Sequence, residues 1–308
     1  MPQTPRELPV IQPDAPIAPA ASPAPPPFER IAIVGLGLMG GSIALAARAA
    51  WPRALVIGVD RNAVLEKAMV RHAIDVAAED LMIVSEADLV VLAAPVGEIV
   101  RLLPALPEHV AGTAVVTDVG STKRAILEAA RALPERLPFV GGHPIAGAAR
   151  GGIDAARPDL CADRPWLLVP GAGGAAEPVE KLRAFVEGIG ARPVLVSSAA
   201  EHDRLVALIS HLPQLAASAL MAVVGEGAGE DGLALAGRGL VDTTRLAGSP
   251  ADIWRDVCAT NADEIGAALD RLVLELQRIR EGLTSGEAID RLFASAAAWR
   301  ERLNADRP

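Results

Sequence analysis

Short apolar runs rich in β-branched residues alternate with helix-forming stretches up to about residue 197; beyond it, helical stretches follow one another with no strand between them. Ile31–Val34 offers no polar position to water, so it reads as a strand buried on both faces, as in parallel sheets. Leu55–Val59, Asp88–Ala93, Ala114–Val119 and Phe139–Gly142 repeat the pattern, with helices such as 42–50 and 123–133 between them. A further strand, helix and strand are expected at 166–169, 178–189 and 193–196. This alternation implies a doubly wound, mostly parallel α/β sheet. After Ala199 the expected helices are 201–209, 214–224, 252–268 and 269–281. The chain thus divides into a tail over 1–29, an α/β domain over 30–197 and an all-α domain over 198–308.

Proline and alanine dominate the first 29 residues, with Pro23-Ala24-Pro25-Pro26-Pro27 just ahead of the first strand, so no packed element is expected there. The same prolines interrupt the apolar stretch that a secretory signal requires. No later run reaches the ~18 consecutive apolar residues of a membrane span. A cytoplasmic chain without a membrane partner is expected. With 308 residues, 51% of them hydrophobic, the chain can bury a substantial core. Its net charge of -9 argues against nucleic acid, which selects clustered cations. Cys161 and Cys258 lie far apart without metal-ligand spacing, which suggests free thiols and no metal site.

The first strand runs into Gly35-Leu36-Gly37-Leu38-Met39-Gly40, and twenty residues after Gly40 an acid, Asp60, closes the second strand. A glycine motif alone is weak. Placed between strand and helix, with that acid downstream, it is the fingerprint of a Rossmann-type dinucleotide site. Gly35 permits the tight turn, Gly37 lets backbone approach a pyrophosphate, and Gly40 lets helix pack on strand. The helix N-terminus offers unpaired N–H groups to the phosphates. Asp60 suits a ribose diol and repels a 2′-phosphate, favouring NAD. Arg61 could instead pair with that phosphate, so NADP stays open. Expected cofactor contacts are Gly35, Gly37, Leu38, Met39, Gly40, Asp60, Arg61, Pro95 and Ser121.

Three downstream segments point to a substrate. Asp118-Val119-Gly120-Ser121-Thr122-Lys123 follows one strand, Gly142-His143-Pro144-Ile145-Ala146-Gly147 follows the next, and Ser210-His211-Leu212-Pro213 opens a helix. Together with the glycine motif, Asp242-Thr243-Thr244-Arg245 and Trp254-Arg255-Asp256, this order resembles the prephenate/arogenate (cyclohexadienyl) dehydrogenase family over roughly residues 30 to 285. The resemblance implies oxidative decarboxylation of prephenate with NAD(P) in tyrosine biosynthesis, or of arogenate, by a homodimer with Trp254 near its active-site rim. It implies that His143 is the catalytic histidine, a loop imidazole able to accept the substrate hydroxyl proton near neutral pH. Ser121 matches a serine beside nicotinamide and hydroxyl, although a helix N-cap would also account for it. Arg245 matches an arginine for a substrate carboxylate; a surface ion pair with Asp242 is the plainer account. Ser210, His211 and Gln214 are expected to face the cleft, with His202-Asp203 one helical segment earlier.

The chain departs from the family at two places. Gln214 stands where many prephenate-preferring members carry histidine, and Ala148-Ala149-Arg150 stands where an acid often follows. The remaining residues after 285 leave little space for a ligand-sensing βαβ domain. A β-hydroxyacid dehydrogenase would also suit the glycine motif, but its serine-glycine-glycine loop and helical lysine are not evident. A non-catalytic dinucleotide sensor would bind NADH and leave cyclohexadienyl substrates untouched.

Overall fold

The computed structural model describes residues 25–148, 150–171 and 175–305. The first half of the sheet comes from β1 (Arg30–Val34), α1 (Leu38–Ala50), β2 (Leu55–Val59), α2 (Asn62–Val70) and β3 (Val76–Ala78). On the other side of β1 lie β4 (Leu89–Leu92), α3 (Val96–Leu102), α4 (Leu106–His109), β5 (Val115–Asp118), α5 (Arg124–Ala130) and β6 (Phe139–Pro144). β7 (Pro165–Pro170), α6 (Ala176–Gly188) and β8 (Arg192–Leu195) complete it. The order is β3-β2-β1-β4-β5-β6-β7-β8. Neighbours are parallel except β6 and β7, which pair antiparallel from Val140 opposite Pro170 to Pro144 opposite Trp166. The sheet is mostly parallel, as expected, with its last two strands reversed.

The pleat sends alternate residues to two apolar layers. Ile31 and Ile33 of β1 join Ile43 of α1 and Phe185 of α6 on one face, while Ala32 and Val34 join Ile99 of α3 and Ile126 of α5 on the other. Order in the sheet reverses between β1 and β4, so the crevice beyond their carboxyl ends is where a dinucleotide fold places its ligand.

Ordered structure begins before residue 30. Phe28 is buried edge-on against Phe185, with ring centroids 6.1 Å apart, and the Glu29 and Arg30 N–H groups donate to Asp88. Burying an aromatic ring outweighs the prolines beside it, which corrects the tail boundary at 29. Residues 1–24 of that expected tail lie outside the described residues.

The helical half holds α7 (Ala199–Val206), α8 (Leu212–Leu233), α9 (Arg238–Thr243), α10 (Ala251–Thr260), α11 (Ala262–Gly282) and α12 (Glu287–Ala305). Ser210-His211-Leu212-Pro213 does not open a separate helix. A π-turn over Ala207–His211, where the Leu212 N–H reaches the Ala207 carbonyl, carries α7 into α8. Pro213, which has no N–H to give the helical ladder, follows directly on that wider turn, where the ladder is already interrupted. The break expected at 268–269 lies instead at Asn261, whose backbone leaves helical values (φ -136°, ψ 31°). Asparagine competes with helix through its own side-chain hydrogen bonds. No helix was expected over 287–305.

Candidate active site

The carboxyl ends of β1, β2 and β4 frame a cavity of about 840 Å³ lined by Gly35, Gly37, Asp60, Arg61, Pro95 and neighbouring residues. Gly35 has φ +94°, and a Cβ there would sit 2.5 Å from the Ala93 carbonyl oxygen; at Gly40 it would sit 1.9 Å from the Gly35 carbonyl oxygen. Both glycines are required by the fold itself. Gly37 is different: a Cβ there meets no protein atom within 4 Å, so only a ligand approaching the loop would need it bare. No side chain caps the N-terminus of α1, which leaves its first-turn N–H groups to an anion. Asp60 accepts the Leu36 N–H at 2.7 Å, pinning the glycine loop to the second strand. Met39 turns away from this cavity into the core, where the Cys161 thiol lies 3.7 Å from its sulfur, and Leu38 is half-buried outside the lining.

A second cavity of about 760 Å³ opens beyond β5 and β6. Ser121, His143, Ser210, His211, Arg245 and Trp254 line it together, although they come from elements spread over more than a hundred residues of chain. His143 lies within β6 opposite Leu167 of β7, and not in the loop that follows, so the ladder fixes its backbone. Arg245 begins a 3₁₀ turn over Arg245–Gly248, is exposed, and forms no ion pair among the described residues. The ion pair with Asp242 is therefore not made. Ser121 is half-buried and caps no helix; α5 starts three residues later.

Gln214 is not on the cavity wall. Buried behind it, its amide donates to the Leu246 carbonyl at 2.7 Å and accepts the Ser249 hydroxyl at 3.1 Å. It thereby braces the turn that carries Arg245. A buried amide satisfied on both ends has little left to offer a substrate.

Beneath the cavity lies a polar network that periodicity did not reveal. His143 Nδ1 is 2.9 Å from His202 Nε2, and His202 Nδ1 is 2.8 Å from an Asp203 carboxylate oxygen. Asp203 also accepts the N–H groups of Lys123 (2.7 Å) and Arg124 (3.0 Å), so a residue of α7 caps α5. Burial opposes its charge, but bonds from His202, Arg124 and Lys123 prevail and hold the carboxyl below its ordinary range. Asn261 donates to the Asp203 carbonyl at 2.9 Å and lies 3.3 Å from His211 Nδ1. Lys123, fully buried, donates to Asp118 at 2.6 Å and to the Gly120 carbonyl at 2.7 Å. Asp118 in turn accepts the Gly142 N–H at 3.0 Å, tying the Ser121 loop to the strand of His143.

These surroundings keep the imidazoles neutral. Burial first, then His202, Lys123 and His211, pushes His143 well below 6.5; burial also lowers His211, to about 4. The buried Nε2 of His211 has no hydrogen-bond partner among the described residues, and its ring meets Trp254 edge-on at 5.9 Å. The site thus joins a neutral imidazole, a hydroxyl and a free guanidinium beside a dinucleotide cleft.

Comparison with known proteins agrees. Residues 43–195 match the family model described as the nucleotide-binding domain of prephenate dehydrogenase, and 198–296 the model for its dimerization domain. Prephenate dehydrogenase of Bacillus subtilis is 33% identical, over 89% of this chain and 76% of its own length. A crystal structure of the Aquifex aeolicus prephenate dehydrogenase with hydroxyphenyl propionate and NAD+ superposes with a TM-score of 0.81 at 26% identity, covering 90% of this chain and 98% of that one. Synechocystis arogenate dehydrogenase gives 0.76 at 33% identity, covering 89% and 99%. The chain belongs to the prephenate dehydrogenase family of nicotinamide-dependent dehydrogenases.

Proposed function

We propose that this chain converts prephenate to 4-hydroxyphenylpyruvate, with NAD+ taking the hydride, as a step toward tyrosine. The observation that carries the reading is the shared cavity of His143, Ser121 and Arg245 beside the glycine cleft. Gly37, the open N-terminus of α1 and Asp60 suit a dinucleotide, and Glu79 and Asp80 on the same wall disfavour a 2′-phosphate. Bound there, NAD+ would supply the hydride acceptor.

The residues of the second cavity supply the rest. His143 takes the proton of the ring hydroxyl while the carbon bearing it gives up hydride; Ser121 orients that hydroxyl. The bond from ring to carboxylate then breaks, its electron pair enters the ring, and carbon dioxide leaves. The phenolate so formed recovers the proton from His143. Arg245 holds a substrate carboxylate through charge-assisted bonds worth roughly 1.5–3 kcal/mol. No Asp or Glu lines this cavity among the described residues, so the ammonium of arogenate would meet no carboxylate. That favours prephenate.

Reduction of NAD+ followed at 340 nm tests the reading, with prephenate and arogenate each offered with NAD+ and NADP+. Prephenate with NAD+ should give the fastest rate, and His143→Ala should lower it by a hundred- to ten-thousandfold. Silence in all four mixtures from folded protein would overturn it. We further propose a homodimer through the helical half, with a solution mass near twice 31.8 kDa. A cytoplasmic location suits the free thiols of Cys161 and Cys258.

A further inference from the structure

We propose that His202, held by Asp203, is a positioning residue that locks His143 in the tautomer whose bare Nε2 faces the substrate cavity. The inference rests on His143 being the proton acceptor. It follows from hydrogen-bond roles taken outward from the carboxylate.

Asp203 accepts, so His202 Nδ1 must carry a hydrogen. A neutral His202 then has a lone pair on Nε2, which must accept. His143 Nδ1, 2.9 Å away, must therefore donate, leaving the lone pair of His143 on Nε2. His143 is on the cavity wall, whereas His202 and Asp203 are fully buried and do not line it. Neutral imidazoles are what the setting favours, since burial lowers both rings; Asp203 partly offsets this for His202.

The alternative tautomer would place lone pairs of both histidines face to face at 2.9 Å or strip Asp203 of its donor. Neither is tolerable for groups this deeply buried. Asp203 is itself immobilised by Lys123, Arg124 and the hydrogen bond that Asn261 makes to its carbonyl. The lock is thus anchored to both halves of the molecule.

Two substitutions and one spectrum test it. Glutamine can present a carbonyl oxygen near the position of the imidazole Nε2 and keep an acceptor for His143, whereas leucine cannot. His202→Leu should lower kcat about a hundredfold with KM for prephenate within threefold, and His202→Gln should restore at least tenfold of that loss. In the unliganded wild-type protein, long-range proton–nitrogen correlation spectra should show His143 protonated at Nδ1, and the His202→Leu variant should lose that single tautomer. Equal damage in both variants, a KM that worsens in step with kcat, or a wild-type His143 protonated at Nε2 would each overturn the lock. An enzyme inactive toward every substrate, with the Nδ1 tautomer intact, would fault the reading of His143 as base while leaving the lock standing.

Discussion

In β1 and β4 every residue from Ile31 to Val34 and from Leu89 to Leu92 is buried, whereas α12 buries none of its 19 residues and turns Phe293 (69% exposed) and Trp299 (64%) to solvent. The sheet is covered on both faces by its own helices. The helical half carries Val273, Leu276 and Leu283 outward as well, and its largest buried cluster holds only Ala207, Val257 and Ile265. Apolar surface of that extent marks a contact face. One half is complete within a single chain; the other, which matches the family's dimerization domain, leaves apolar surface uncovered.

The comparison can be broken hardest from inside the sheet. Lys123→Ala leaves Asp118 buried without its ammonium partner and should cost about 3–5 kcal/mol of stability by urea titration. A loss below about 1 kcal/mol would mean that the sheet half tolerates an unpaired charge and is less closed than described. Arg245→Ala tests the helical contribution to the site. It should raise KM for prephenate about ten- to a hundredfold, the worth of one or two charge-assisted bonds, and leave NAD+ affinity unchanged. The double change Phe293→Ser and Trp299→Ser should shift the sedimenting species toward 31.8 kDa while the far-ultraviolet spectrum stays folded. An undiminished dimer would place the contact elsewhere.

The smallest effect is a proton effect at the seam between the halves. His143, His202 and His211 are all held below 6.5, so between 6.5 and their folded values the unfolded chain binds more protons. Stability present above pH 6.5 is therefore lost as pH falls toward about 4, the value for His211. The melting temperature should be flat from pH 8 to 7 and decline from pH 6.5 to 4.5, with a smaller decline in His211→Asn.

The alternation of apolar runs was enough to read the sheet, and the glycine motif with Asp60 was enough to place a dinucleotide cleft. Those features are local, each contained in one strand and its turn. Ser121, His143 and Arg245 were legible through motif resemblance, and the fold brings them to one cavity. The reversal of β7, the π-turn before Pro213 and the cap that Asp203 gives α5 were not legible, because each depends on partners far along the chain. His202 and Asp203 look like ordinary polar residues of an amphipathic helix. A buried carboxylate beside a buried imidazole declares itself only when the sheet half is packed against it. Phe28 was missed for the opposite reason, since neighbouring prolines masked a single anchoring ring.

The cap of α5 by Asp203 also bears on motion. Two backbone N–H groups and the Arg124 side chain of one half are gripped by one carboxylate of the other, a few residues from both His143's partner and the Ser121 loop. Swinging the halves apart about the 196–198 link would pull that carboxylate from three donors at once and leave the first N–H groups of α5 uncapped. The floor beneath the substrate cavity is thus stapled across the two halves, and Gln214 braces the turn around Arg245 at its rim.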